Sequence, residues 1–183
     1  MKSSIILFVF SITLAIPAMG QDHAVKSDSV EVIQDFKNLY RYQNFYLSGQ
    51  PTYETLLWLK SHGVKKIINL RTEKENSDFA AGAFNEVNIA REMGFEYFSL
   101  PVEGIKDYTP EKLDALVGLL NKNDSTLIHC AGAGRVSDFF MAYLVKSRGY
   151  TVNEAIGVGR MLKFSMPLEK LLNAEINFII ADN

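Results

Sequence analysis

Residues 125–130, Ser-Thr-Leu-Ile-His-Cys, form an apolar run too short for a helix. They lead through Ala131, Gly132, Ala133 and Gly134 into residues 135–149, where apolar side chains recur at helical spacing. A strand that passes through a small-residue loop straight into a helix is half of a strand–helix–strand unit. The segment therefore directs the chain towards a sheet whose strands are joined by helices.

The rest of the sequence repeats that alternation. Residues 44–51, "NFYLSGQP", read as a strand ending in a Ser-Gly turn, and 51–63 as a helix capped by Thr52 and closed by Gly63. A buried strand is expected over 64–71, a helix within 75–94, and a strand over 95–102. Thr109 and Pro110 open a helix over 109–123, Thr151 and Glu154 form a capping box before 151–163, and 167–181 reads as a last helix. The expected fold is a single α/β domain over 41–183, with a central mostly parallel sheet flanked by helices. A polar, flexible segment is expected over 21–40.

Residues 1–20 stand apart. Lys2, an apolar run from Ile5 to Ile16, Pro17 and the small residues Ala18 and Gly20 have the pattern of a signal peptide cleaved before Gln21. The run is shorter than the roughly 20 residues that a membrane span requires. Export to a periplasm or outside the cell is expected, with no stable membrane insertion after cleavage. The remaining chain would carry 18 basic and 21 acidic side chains, a net charge of −3. That balance argues against general affinity for nucleic acid. His23 and His62 have no partner ligands at metal spacing, so no metal site is expected.

Cys130 is the one cysteine of the chain, so no internal disulfide forms. It stands at the carboxyl end of the expected strand, where ligands bind in open α/β sheets. Ala131, Gly132, Ala133 and Gly134 let successive backbone N–H groups turn inward as an anion nest. The helix beginning near Arg135 adds the positive end of its dipole, and the guanidinium of Arg135 adds a fork for a tetrahedral oxyanion. The same surroundings drive the Cys130 thiol towards thiolate. A nucleophile and an anion cradle in one loop are what thiol attack on a phosphate ester requires. His129 ends the strand and should face away from the cradle, orienting the loop. Arg71, at the end of the 64–71 strand, is placed to steer an anion or to pair with Glu73 or another carboxylate.

"HCAGAGR" followed by an apolar helix resembles the signature loop of cysteine-dependent tyrosine and dual-specificity phosphatases. "FYLSGQPTYETLLWLKSHGVKKIINLR", "MGFEYFSLPVE", "TPEKLDALVGLL" and "AYLVKSRGYTVNEAIGVGRML" follow in the order of the bacterial beta-lactamase-hydrolase-like phosphatase family within that superfamily. The resemblance covers about residues 44–163. It implies a tyrosine-phosphatase-like fold, a phosphorylated protein or small phosphoester as substrate, and no cofactor. It also implies Cys130 as nucleophile, Arg135 as phosphate ligand, and Ala131, Gly132, Ala133 and Gly134 as the rest of the substrate-binding loop.

Three positions depart from the superfamily pattern. Arg135 stands five residues after Cys130 where most tyrosine phosphatases use six, a spacing shared with the beta-lactamase-hydrolase-like branch. Val136 follows it where Ser or Thr is usual. Gly104 occupies the expected place of the general acid in "PVEGIKDYTP", which leaves Asp107 as the preferred acid and Glu103 as the alternative. Two rival functions fit the loop: a rhodanese-like sulfurtransferase with a Cys130 persulfide, and a catalytically weak pseudophosphatase that binds a phosphorylated ligand.

Overall fold

The computed structural model describes residues 29–80, 84–121, 123–162 and 168–176. The expected signal peptide lies outside the described residues. Six strands form one sheet in the order β1-β2-β3-β6-β4-β5: β1 (Glu31–Val32), β2 (Leu39–Tyr42), β3 (Phe45–Ser48), β4 (Lys66–Asn69), β5 (Glu96–Ser99) and β6 (Thr126–His129). The β3–β6, β6–β4 and β4–β5 pairs are parallel, while β1–β2 and β2–β3 are antiparallel. The sheet is thus mostly parallel, with an antiparallel hairpin added at one edge.

That hairpin changes the reading of the amino-terminal region. Residues up to 40 were expected to be flexible, yet β1 and β2 join the sheet from residue 31. Val30, Ile33 and Leu39 are buried there, spaced too irregularly to read as a strand pattern. The turn into β3 uses Gln43 at φ 55°, a left-handed residue that no glycine marks in the sequence.

The described helices are α1 (Tyr53–Ser61), α2 (Glu73–Ala80), α3 (Glu86–Glu92), α4 (Pro110–Leu119), α5 (Gly134–Arg148), α6 (Val152–Arg160) and α7 (Leu168–Leu172). The helix expected within 75–94 is two helices, and the helix expected over 167–181 ends at Leu172, where Asn173 turns at φ 49° and residues 173–176 leave the helix; residues 177–181 lie outside the described residues. Thr52, Thr109 and Thr151 cap α1, α4 and α6 as their positions in the sequence indicate.

Strand periodicity of two sends alternate side chains to opposite faces. Phe45, Leu47, Ile68, Leu70, Ile128 and Cys130 face the core under α4, α5, α6 and α7. Tyr46, Ile67 and Leu127 face the smaller core under α1 and α3, with Leu56, Leu59, Ala90 and Phe95. Helix α5 is buried continuously from Val136 to Leu144, so it is the central helix of its layer. Each fully buried Phe or Leu there contributes about 1.5–3 kcal/mol.

Candidate active site

The carboxyl ends of three adjacent strands build the site. β6 runs between β3 and β4, parallel to both, so the residues after Ser48, Asn69 and His129 emerge side by side. The Cys130 N–H donates to Ser48 O at 3.3 Å, and the Leu70 N–H donates to His129 O at 2.8 Å. The Ser-Gly-Gln-Pro turn is a buttress for the loop. The Gln50 N–H donates to Ala131 O at 3.1 Å, and Gly49 bridges to Gly132. A Cβ on Gly49 would meet Ala131 O at 3.1 Å, so glycine is there to allow close approach of two backbones. A cavity of about 450 Å³ opens beside Gly49, Gln50 and Ala131, between residues 35–38 and the start of α1.

Beyond Cys130 the chain turns on Ala133, at φ 74°, and enters α5. Neither Gly132 nor Gly134 takes the left-handed conformation; the buried alanine between them does. An alanine in that region costs about 1–2 kcal/mol, strain of a kind concentrated at functional sites. α1, α3, α4 and α6 receive a side-chain cap from Thr52, Asn85, Thr109 and Thr151, whereas α5 begins with none. Its first-turn N–H groups are therefore open to an oxyanion, with the helix dipole in support. Cys130 is 1% exposed and lies on the α5 face of the sheet, at the base of this turn.

Arg135 is clamped from one side. Nη1 donates to Glu75 Oε2 at 2.9 Å and Nη2 to Glu75 Oε1 at 2.6 Å; Nη1 also reaches Val102 O at 2.9 Å and Leu70 O at 3.2 Å. Burial acts against the Arg135 charge, but the hydrogen bonds to Glu75, with Cys130 beside it, outweigh that and hold its pKa above the ordinary value. Hydrogen bonds from Arg135, opposed by partial burial, bring the Glu75 carboxyl down to about 2. Glu75 is a residue the sequence does not advertise. α2 has no buried residues and no apolar face, and its charged side chains look like a solvated surface.

A second polar cluster lies on the opposite face of the sheet. His129 is fully buried, with Nε2 2.8 Å from Glu86 Oε1 of α3, so it does face away from the cradle. Gln50 Nε2 and Tyr97 Oη donate to the two oxygens of Glu86. Burial pushes the Glu86 carboxyl up, and His129, Gln50 and Tyr97 together overcome that and leave it below its ordinary value. Arg71 does not pair with Glu73. Its Nη1 donates to Gln50 Oε1 and its Nη2 to Glu75 O at 2.6 Å, and its guanidinium stacks over Phe79. Arg71 is buried and committed to the loop's supports by its bonds to Gln50 and Glu75 and its stacking on Phe79.

The segment after β5 carries the candidate acids. A 3-10 turn spans Gly104–Asp107. Asp107 is half-buried, and its Oδ2 accepts the Glu103 N–H at 2.6 Å. Glu103 is exposed and pairs with Lys106 at 2.5 Å, so its carboxylate is engaged at the surface. Val136 is 1% exposed, and Ser137 is fully buried, its Oγ without a hydrogen-bond partner among the described residues. The hydroxyl usual after the arginine is thus not replaced by the next residue.

Similarity places this geometry in a family. The model of the family described as "DSP-PTPase phosphatase fused to NAD+ Kinase" matches residues 20–171. No curated protein matches the chain. Among solved structures, Pseudomonas aeruginosa TpbA in complex with phosphotyrosine is similar at a TM-score of 0.57 and 17% identity, over 74% of this chain and 80% of that one. A Shewanella putrefaciens protein of the DUF442 group is similar at 0.52 and 23% identity, over 68% and 82%. Kinase associated phosphatase is similar at 0.52 and 22%, over 65% and 75%. These likenesses establish the tyrosine-phosphatase fold. They do not single out the beta-lactamase-hydrolase-like branch. With a cysteine at the base of an uncapped helix turn and an arginine clamped beside it, the chain belongs to the DSP-PTPase family and is a cysteine-dependent phosphatase of the tyrosine and dual-specificity superfamily.

Proposed function

We propose that Cys130 is the nucleophile, residues 131–135 the phosphate cradle and Asp107 the general acid of a two-step phosphate monoester hydrolysis. The Cys130 thiolate attacks phosphorus. An S–P bond forms as the P–O bond to the leaving group breaks, and Asp107 gives its proton to the departing oxygen. Water then adds to phosphorus, Asp107 takes up a proton from it, and inorganic phosphate leaves with the thiolate restored. The cradle amides and Arg135 hold the equatorial oxygens, where negative charge is carried through the transition state.

The observation that carries this reading is the clamping of Arg135. Glu75 holds both Nη1 and Nη2, and Val102 O and Leu70 O share Nη1, so the guanidinium is oriented in advance beside Cys130. The substrate class is a phosphorylated protein or a small phosphoester, since the cradle reads phosphate itself. The amino-terminal pattern supports an exported protein that acts in a periplasm or outside the cell.

Val136 favours one refinement. No hydroxyl follows Arg135 to stabilise the departing thiolate, so release of phosphate from the thiophosphoryl enzyme is the slow step. The test is p-nitrophenyl phosphate hydrolysis by the protein and by C130S, together with protection of Cys130 from iodoacetate by orthovanadate. Hydrolysis lost in C130S and alkylation blocked by vanadate are expected. Thiosulfate:cyanide sulfur transfer without phosphate release would assign the loop to persulfide chemistry. Vanadate protection without turnover would make the protein a phosphate-binding pseudophosphatase.

A further inference from the structure

Asp138 is fully buried in α5, three residues after Arg135, inside the apolar run "DFFMAYLV". A carboxylate in such a place must be hydrogen-bonded to persist. Tyr108 Oη donates to Asp138 Oδ2 at 2.8 Å across thirty residues of sequence. The Tyr108 ring is 7% exposed and packs edge-on to Phe139, with centroids 5.3 Å apart. Tyr108 is also the residue next to Asp107. The side chain that is buried and the side chain proposed to give the proton are therefore neighbours on one short turn.

The segment from Pro101 to Tyr108 is pinned to α4, to Arg135 and to the buried face of α5. Lys112 Nζ donates to Pro101 O at 3.0 Å, Arg135 Nη1 to Val102 O at 2.9 Å, and Tyr108 to Asp138. The first two bonds hold the start of the segment and the third holds its end. Between them the Glu103 N–H fixes Asp107 Oδ2. A swing of the turn that carries Asp107 would break the buried Tyr108–Asp138 bond and cost Asp138 a donor in its fully buried site.

We propose that Tyr108 is a positioning residue for catalysis: its latch to Asp138 ties the segment carrying Asp107 to the helix that begins at the phosphate cradle. The inference rests on the reading of Asp107 as general acid. The acid is then set in place before substrate arrives, instead of being delivered by a moving flap. The latch touches neither substrate nor phosphorus, so its effect appears only where protonation of the leaving group limits the rate.

The test compares kcat/KM for phenyl phosphate, whose leaving group needs a proton, with that for p-nitrophenyl phosphate, whose leaving group departs with little help. In Tyr108→Phe, which keeps the ring against Phe139, the phenyl to p-nitrophenyl ratio falls by about tenfold, a fraction of what general acid catalysis contributes. In Asp107→Asn the same ratio falls further, and adding Tyr108→Phe to Asp107→Asn lowers it no more. A Tyr108→Phe protein that loses both activities equally, or neither, overturns the latch while leaving Asp107 in its role. A ratio unchanged in Asp107→Asn overturns the reading of the acid itself. Should Tyr108→Phe not fold, Asp138→Asn is assayed the same way. Its neutral acceptor weakens the latch, so a smaller fall in the ratio is expected, and an equal loss on both substrates refutes the proposal.

Discussion

Arg135 and Glu75, sixty residues apart in the chain, form a two-pronged pair with N–O distances of 2.6 and 2.9 Å. The carboxylate takes the end of the guanidinium fork, and the backbone oxygens of Val102 and Leu70 share Nη1. An arginine held in this way has lost its rotamer freedom before substrate binds, so the phosphate does not have to order it. Glu75 also ties in Arg71 through its backbone oxygen, so one residue of α2 supports both arginines at the sheet edge.

Replacement of Glu75 by Gln should lower kcat/KM for p-nitrophenyl phosphate by about ten- to a hundredfold, since misplacement of a transition-state donor by a fraction of an ångström has effects of that order. Steady-state kinetics with vanadate inhibition in parallel checks this. The vanadate inhibition constant should rise with the loss of activity, because both measure the orientation of Arg135.

The Glu75 pair also has a pH signature. The Glu75 carboxyl, at about 2, lies below the ordinary 4.5 of a free glutamate, so the pair's stabilisation is fully present above pH 4.5 and is lost as pH falls towards 2. The side chain is 32% exposed, and solvent screening reduces the effect to about 1 kcal/mol. Urea unfolding at pH 5 and pH 2.5 should show a drop in the wild type that is smaller in Glu75→Gln.

Ala133 stores backbone strain. Ala133→Gly should leave stability unchanged or raise it by up to about 1 kcal/mol, because the relief of a left-handed alanine offsets the entropy of glycine. Ala133→Val should cost about 2 kcal/mol or more and abolish activity, since a β-branched residue at φ 74° would straighten the turn that forms the cradle. Thermal melts and the p-nitrophenyl phosphate assay distinguish the two.

Val136→Thr keeps the shape of the side chain and supplies the missing hydroxyl. Pre-steady-state assays should show a burst of p-nitrophenol in the wild type that shrinks in the variant as kcat rises several-fold. A buried hydroxyl without a full set of partners should lower stability by about 1–2 kcal/mol. An unchanged kcat would mean that release of phosphate is not limited by the thiolate.

Gly49 and Gly159 separate the site from the scaffold. Gly49→Ala would press a Cβ against Ala131 O at 3.1 Å, so activity should fall by about tenfold with a small loss of stability. Gly159→Ala would place a Cβ 2.0 Å from Met141 Sδ in the packed α5–α6 contact. It should cost about 1–3 kcal/mol by overpacking and leave kcat/KM of the folded protein nearly intact.

Much of this architecture was legible from local signals. Thr52, Thr109 and Thr151 mark helix starts because a hydroxyl before a helical run has a single-turn reach. Cys130 and Arg135 could be placed at a strand end and a helix start because loop and flanks are contiguous in sequence. His129 was correctly turned away from Cys130 by the period of a strand alone. The pairing of β1 and β2 leaves no sequence signal because Asn38, in the turn before β2, and Gln43, in the turn into β3, adopt positive φ without being glycine. The aspartate in "DFFMAYLV" was a signal passed over: an acid within a buried run implies a partner, and Tyr108 is that partner.

The sequence by itself determined the elements that carry Cys130 and Arg135 and the end of the sheet where they meet, because periodicity, caps and loop contiguity act over a few residues. Only the tertiary structure decided what holds them in position. Glu75 on a polar helix, Gln50 and Glu86 behind the loop, and Asp138 beneath Tyr108 come together through the β3-β6-β4 order of the sheet and the packing of α5 across it. Hydrogen bonds between residues thirty to sixty positions apart leave no periodic trace, since their partners are chosen by the crossing of elements and not by neighbours in the chain.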